Sequence, residues 1–225
     1  MEERNEWRRV FRDSLPVMAG YLVLGAGFGI LLRLRGYGLG WALGMSVFIY
    51  AGSMQFAGVG LMTSGAGILT TALTTLFVNA RHLFYGISML DRYRDAGRRK
   101  PYLIFALTDE TYSLVCSGEE RSLSYCFRLS LLNHLYWITG SALGSLAGAV
   151  LPFNFEGIDF SLTALFVTVF LGQWVSDEDH FPALVGAGAS VAALLLFGSD
   201  RFLLPAMAGI SAALLLRDRA ERSRT

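Results

Sequence analysis

Charge is what this sequence has least of. Only 16% of its 225 residues are Asp, Glu, Lys or Arg, against 53% hydrophobic residues and a mean hydropathy of +0.46. A soluble domain carries about 25% charged residues. The charges are also gathered up: eight lie in residues 1–13, seven in 91–100 and six in 217–225. The 45 residues 36–80 hold none, and a soluble helical protein cannot present a solvated face over such a stretch. No polar stretch is long enough for a soluble catalytic domain. Cysteine is nearly absent: Cys116 and Cys126 have neither metal-ligand spacing nor a disulfide framework. They read as small residues near the ends of membrane helices. The net charge of +1, with no basic patch interleaved with aromatics, gives no reason to expect a nucleic-acid partner. Walker A, HExxH, GxSxG and dinucleotide-binding patterns are all missing, which disfavours an ATP-driven pump or a membrane metalloprotease. No cofactor or metal site is expected, since His82, His134 and His180 lie far apart.

What is present is a succession of apolar runs. A bilayer core about 30 Å thick needs about 20 helical residues. On that rule spans fall near 15–33, 40–62, 66–90, 102–118, 129–151, 159–175 and 182–216, the last interrupted by Gly198–Arg201. The predicted fold is all-α: a polytopic transmembrane helical bundle of about seven spans, six to eight, with broken helices. Residues 1–13 lack the apolar core of a signal peptide, so the first run is expected to remain as a helix. Arg92, Arg94, Arg98, Arg99 and Lys100 place that loop in the cytoplasm. The N-terminus and the C-terminal tail carry four arginines each and favour the same side. A seven-crossing zigzag cannot satisfy all three. Either the N-terminus lies outside or one segment enters and leaves on one face, segment 66–90 being the best candidate.

The whole chain reads as one integral membrane transporter domain, 1–225. Residues 14–90 and 128–216 resemble each other weakly at an offset of about 120, with 102–118 as a linking helix. The likeness is a duplication, or a chance similarity of glycine-rich apolar helices. Gly25, Gly27, Gly29, Gly140, Gly144 and Gly148 put small residues on helix faces, which lets membrane helices approach closely.

Polar groups at membrane depth cost free energy and so point to function. In Tyr50–Gly58, glycines flank Ser53 and Gln55, so the helix can open there and free backbone groups for a small zwitterion; the alternative is an intact helix whose Ser53 and Gln55 bond to a neighbour. Asn79-Ala80-Arg81-His82 interrupts the next span. Arg81 is the only charge between Gly36 and Leu90 and needs a carboxylate or carbonyls if it lies deep. His82 suits either a proton relay or a structural hydrogen bond. Asp109 and Glu110 stand in the middle of 102–118. As a continuous helix, that segment puts Asp109 with Phe105, Tyr112 and Ser113, and Glu110 with Ala106, Leu107 and Leu114. One carboxylate is then expected to pair with Arg81 and the other to meet substrate or a proton; otherwise both are structural ion-pair partners. Asn133 and His134 fall near a helix start, Trp137 and Trp174 read as interfacial anchors, and 177–180 as a solvated acidic loop.

Four motifs together resemble the AzlC-type family: Tyr-Ala-Gly-Ser-Met-Gln-Phe-Ala-Gly at 50–58, Asn-Ala-Arg-His-Leu-Phe-Tyr-Gly at 79–86, Thr-Asp-Glu-Thr at 108–111 and Tyr-Trp-Ile-Thr-Gly-Ser-Ala-Leu-Gly at 136–144. The similarity runs from about Ser14 to Leu216. It implies the large subunit of a branched-chain amino acid exporter, multi-pass in the cytoplasmic membrane and driven by an ion or proton gradient. It also implies a small AzlD-type membrane subunit as partner. Joined to the residue reading, it gives a substrate-binding set of Tyr50, Gly52, Ser53, Gln55 and Asn79. Phe84, with Phe48 and Phe77, would line an apolar pocket. Arg81, His82, Asp109 and Glu110 form the charge-coupling set. The rival readings are a non-transporting membrane scaffold and a membrane-embedded enzyme using His82 and Asp109.

Overall fold

The computed structural model describes residues 2–116, 122–150, 179–198 and 202–222, together with Val167, Phe170, Leu171, Trp174 and Val175. Among the described residues all regular structure is helical. The helices are α1 (Glu2–Leu34), α2 (Leu39–Phe48), α3 (Gly52–Thr63), α4 (Ile68–Val78), α5 (Ala80–Ser88), α6 (Lys100–Phe105), α7 (Asp109–Cys116), α8 (Leu123–Val150), α9 (Phe181–Phe197) and α10 (Leu203–Arg222). The chain forms two compact units, residues 1–159 and 160–225.

The first unit is organised on two long helices, α1 and α8, packed side by side. Their contact is made of glycines. A Cβ at Gly144 would stand 2.0 Å from the Ala26 carbonyl oxygen, and one at Gly29 would stand 2.1 Å from that of Ser141. Gly140 and Gly25 face the opposite backbone almost as closely. Absent side chains let the two backbones touch, so dispersion acts over the whole seam. The helices run parallel. Glu6 pairs with Arg128 (2.6 Å) and Asp13 accepts from the Tyr125 hydroxyl (2.7 Å) near the start of both, while Gly148 meets Arg33 and Ile30 near their ends.

The polar loop 91–100 closes over the N-terminal end of this pair. Val10, Met89, Tyr93, Leu103, Leu107, Val115, Tyr125, Cys126 and Leu129 form one buried cluster there. The charged start of α1 and the arginine-rich loop therefore share one end of the unit. The sequence left that question open, and the contacts of the short helices explain how it comes about.

Segment 40–62, expected to cross as one span, is a hairpin of two half-length helices. In a continuous helix Ser46 and Gln55 would be about 13.5 Å apart along the axis. Here Gln55 Nε2 donates to Ser46 Oγ at 3.2 Å, and a Cβ on Gly58 would meet Met45 Cε at 3.3 Å. The chain turns back at Ile49–Ala51, where Tyr50 takes a left-handed φ of 44°. Residues 102–116 also form a hairpin, from the opposite end. Leu103 and Val115 both lie in the N-terminal cluster, although twelve residues of helix would part them by about 18 Å. Its turn is Ala106–Thr108. Segment 66–90 does break at Asn79 as expected, but it runs onward from α4 to α5 rather than returning. Two of the segments expected to cross, and not segment 66–90, are thus the ones that enter and leave on one side. Within residues 2–150, α1, α4–α5 and α8 run from end to end.

In the second unit, the long segment 182–216 is two helices, α9 and α10, packed on each other and separated after Gly198, whose φ of 74° only glycine adopts easily. Asp179 is paired with Arg217 at 2.8 Å, and the hydrogen bond from that guanidinium holds its carboxyl below the usual carboxylate range. Asp177 and Glu178 and most of the 159–175 span lie outside the described residues.

Candidate functional site

Three breaks meet at one place in the first unit. Ser53 is the second residue of α3, Arg81 the second of α5, and Asp109 the first of α7. Arg81 Nη1 lies 2.8 Å from Asp109 Oδ2, and Arg81 Nη2 donates to Ser53 Oγ at 2.8 Å. The other oxygen of Asp109 accepts from the Tyr85 hydroxyl at 2.9 Å. One guanidinium therefore ties together the starts of three half-helices. Each start is the positive end of a helix dipole, an arrangement that favours an anionic group. Asp109 and Glu110 sit in the first turn of α7, where the positive end of the helix dipole favours carboxylates.

The reading of 102–118 as one helix is corrected by the break at Ala106–Thr108. Phe105, Ala106 and Leu107 precede the turn, so they share no α7 face with the carboxylates. Thr108 instead caps α7, its Oγ1 accepting from the Thr111 N–H at 3.3 Å. The acidic first turn, Asp109 and Glu110, was the one signal in the sequence for this helix start.

The first hairpin is held at its tip by α8. Because the Tyr50 N–H bonds to Met45 O, the Ser46 carbonyl loses its usual i+4 donor. His134 Nε2 takes that place at 3.0 Å. A carbonyl only accepts, so Nε2 carries the hydrogen and Nδ1 accepts from the Tyr102 hydroxyl at 3.1 Å. The Tyr50 ring stacks on His134 with centroids 4.1 Å apart and also meets Phe105 at 6.1 Å, so the two hairpin tips touch. Gln55, fully buried, bonds to Ser46 and accepts from Trp137 Nε1 at 2.8 Å. Gly52 is needed because a Cβ there would stand 3.0 Å from the Trp137 ring. Trp137 is thus a buried clamp on the hairpin rather than an interfacial anchor. Asn133 and His134 lie well inside α8, which begins six residues before the expected span.

A third group of polar side chains surrounds Tyr21. Its hydroxyl reaches Glu110 Oε2 at 2.6 Å and Thr108 Oγ1 at 2.7 Å. Thr108 continues to Thr111 at 3.0 Å, and Asn133 Nδ2 donates to Thr111 at 3.0 Å. The Tyr50 hydroxyl, Asn79 Oδ1 and Asn133 Oδ1 are buried with no hydrogen-bond partner among the described residues. Buried polar atoms are rarely left so, and at a site they are open places for a ligand or water.

The structure therefore brings Ser53, Arg81 and Asp109 into direct contact and sets Tyr50, Gly52, Gln55 and Glu110 around them. Tyr21, Tyr85, Thr108, Asn133, His134 and Trp137 join them without having been singled out for such a role by sequence. His82 packs edge-on to Tyr85 at 5.8 Å and stands outside the bonded set. Phe84 and Phe48 are 71% and 80% exposed, so the expected apolar pocket is not built from them. Their place on the hairpin and half-helix exteriors follows from the breaks, which re-aim each face. Among the described residues no cluster of His, Cys, Asp and Glu could hold a metal ion.

A family model described as AzlC protein matches residues 16–151. The "Branched-chain amino acid transport protein AzlC" of Bacillus subtilis (strain 168) is 42% identical over 223 residues, covering 96% of this chain and 87% of the relative. An "Uncharacterized membrane protein" of Helicobacter pylori (strain J99 / ATCC 700824) is 39% identical, with 94% and 96% covered. The "Inner membrane protein YgaZ" of Escherichia coli (strain K12) is 26% identical, with 80% and 79% covered. No solved structure matches.

Proposed function

Because the chain belongs to the AzlC family, we propose that it is a secondary transporter subunit that moves branched-chain or similar small amino acids outward across the cytoplasmic membrane. A gradient drives it, and a small AzlD-type membrane subunit works with it. The observation that carries this reading is the meeting of three helix breaks at Ser53, Arg81 and Asp109. Opened helices at membrane depth need protein or a cavity to satisfy their backbone, and transporters place substrate at such points. The half-helix starts and Arg81 suit the substrate carboxylate. Two hairpins entering from opposite ends and touching at Tyr50 and Phe105 offer one barrier to each side.

Several features support a membrane setting. Asn5–Leu34 is long and apolar enough to cross by itself. Ile68, Leu69 and Ile87 on α4–α5 turn large apolar side chains outward, at 90%, 73% and 65% exposure. A bundle of about seven spans then becomes fewer full crossings plus two re-entrant hairpins. The N-terminal and 91–100 basic clusters, which share an end, both face the cytoplasm, as the positive-inside rule requires.

Efflux of preloaded labelled amino acids from cells making this chain with and without the small subunit tests the reading. Loss of leucine, isoleucine or valine is expected only with both chains. Membrane insertion of both chains without efflux of any amino acid would sink the transport claim, and would favour a scaffold.

A further inference from the structure

Two adjacent carboxylates head α7, and their surroundings differ. Asp109 is fully occupied: one oxygen faces Arg81 at 2.8 Å and the other the Tyr85 hydroxyl at 2.9 Å. Glu110 has no cationic partner among the described residues. Its bonded neighbour is the neutral Tyr21 hydroxyl at 2.6 Å, and the residue is exposed at the hairpin tip. Arg81 and Asp109 answer each other, while no cation among the described residues answers Glu110. Beside it, Tyr50 is 3% exposed, its hydroxyl unpartnered among the described residues and its ring edge-on to Tyr21 with centroids 6.5 Å apart. A carboxylate without a cation, a buried hydroxyl without a partner and two aromatic rings are together complementary to a primary ammonium group, which brings three donors and one positive charge.

We propose that Glu110 binds the α-ammonium of the transported amino acid, with Tyr21 as the residue that positions its carboxylate and Tyr50 supplying a second acceptor. Asp109 is then the fixed counter-ion of Arg81 and does not bind substrate. The two poles of the zwitterion are read side by side: the carboxylate by Arg81, Ser53 and the half-helix starts, the ammonium by Glu110. This rests on the amino acid transport reading above, and it explains why two carboxylates stand at one helix start while one arginine answers only the first.

The test compares leucine with its 2-hydroxy analogue, 2-hydroxy-4-methylpentanoate, which keeps the carboxylate and the side chain but replaces the ammonium with a hydroxyl. Both are measured as competitors of labelled leucine uptake into vesicles holding the full chain and its small subunit. The native chain is expected to prefer leucine. In Glu110→Gln the affinity for leucine should fall about ten- to a hundredfold, the range for a hydrogen bond to a charged group, while the hydroxy acid should change little. Tyr50→Phe, which removes one hydroxyl and leaves the ring stack on His134, should narrow the preference in the same direction. Glu110→Asp should keep most of it. Equal losses for both ligands in Glu110→Gln, or an unchanged preference in both Glu110→Gln and Tyr50→Phe, would overturn the assignment. Failure of the native chain to handle any amino acid would instead overturn the transport reading, so the two failures are distinguishable.

Discussion

Gly144→Ala is expected to separate α1 from α8 and lower stability by about 1–3 kcal/mol or more, the range for overpacking a close-packed contact. The new methyl would stand 2.0 Å from the Ala26 carbonyl oxygen, a backbone atom that cannot swing aside as a flexible side chain would. Gly29→Ala meets the Ser141 carbonyl at 2.1 Å and should do the same. The control is internal. Gly20 lies on the same helix with open space around its would-be Cβ, and Gly20→Ala should be neutral or slightly stabilising because alanine favours helix. Thermal unfolding of the purified protein in detergent distinguishes these. Equal midpoints for Gly144→Ala and Gly20→Ala would mean that the seam does not hold the unit together.

The second large effect concerns Arg81 and Asp109. Their side chains are 33% and 38% exposed, so the pair resembles a screened ion pair, with a stability contribution of about 1 kcal/mol or less. Its weight should fall on transport. Arg81→Gln is expected to cut transport by about ten- to a hundredfold, because it removes the charged donor from the junction of three half-helices. Asp109→Asn should also cut transport, by freeing the guanidinium from its anchor. The double variant Arg81→Gln/Asp109→Asn should recover the stability lost by either single change, since no charge is left unpaired, yet remain inactive. Melting midpoints and vesicle flux measured on all four proteins give this cycle. Restored transport in the double variant would show that the pair is structural only.

The all-helical class was legible in the sequence, because long charge-free apolar runs satisfy their backbone hydrogen bonds most readily as helices, whereas the count of about seven spans was not, since two of the expected spans are hairpins. The interruption at Asn79 was visible as polar residues within an apolar run, but the opening expected within Gly52–Gly58 lies earlier, at Ile49–Ala51, and Gly52–Thr63 is intact helix whose Ser53 and Gln55 bond to neighbours. The pairing of Arg81 with one of two carboxylates was legible too, since a lone charge in an apolar run calls for an opposite one. What was not legible was direction. Hydropathy gives the same signal for a span that crosses and for two half-helices that turn back. The difference at Tyr50 lies in a single left-handed residue, in contact with His134, more than eighty residues away. The turn at Ala106–Thr108 was missed for a related reason. Thr108 reads as a mid-helix residue until its capping of Thr111 is seen. Trp137 was misjudged because an indole near a helix start looks like a membrane anchor, and only the position of Gln55 identifies the partner of its N–H. The glycine seam was the reverse case, since small residues four apart carry the close approach directly.

The central claim is that the transported amino acid sits where the three half-helices meet. Thiol labelling of Ser53→Cys tests it most directly, in a chain whose two native cysteines, Cys116 and Cys126, are replaced by alanine. The account predicts that leucine slows the reaction of the introduced thiol with a maleimide. The same thiol placed by Asp95→Cys, in the polar loop, should react at an unchanged rate. Labelling of the Ser53→Cys chain at the same rate with and without saturating leucine, in a variant that still transports leucine, would contradict the claim.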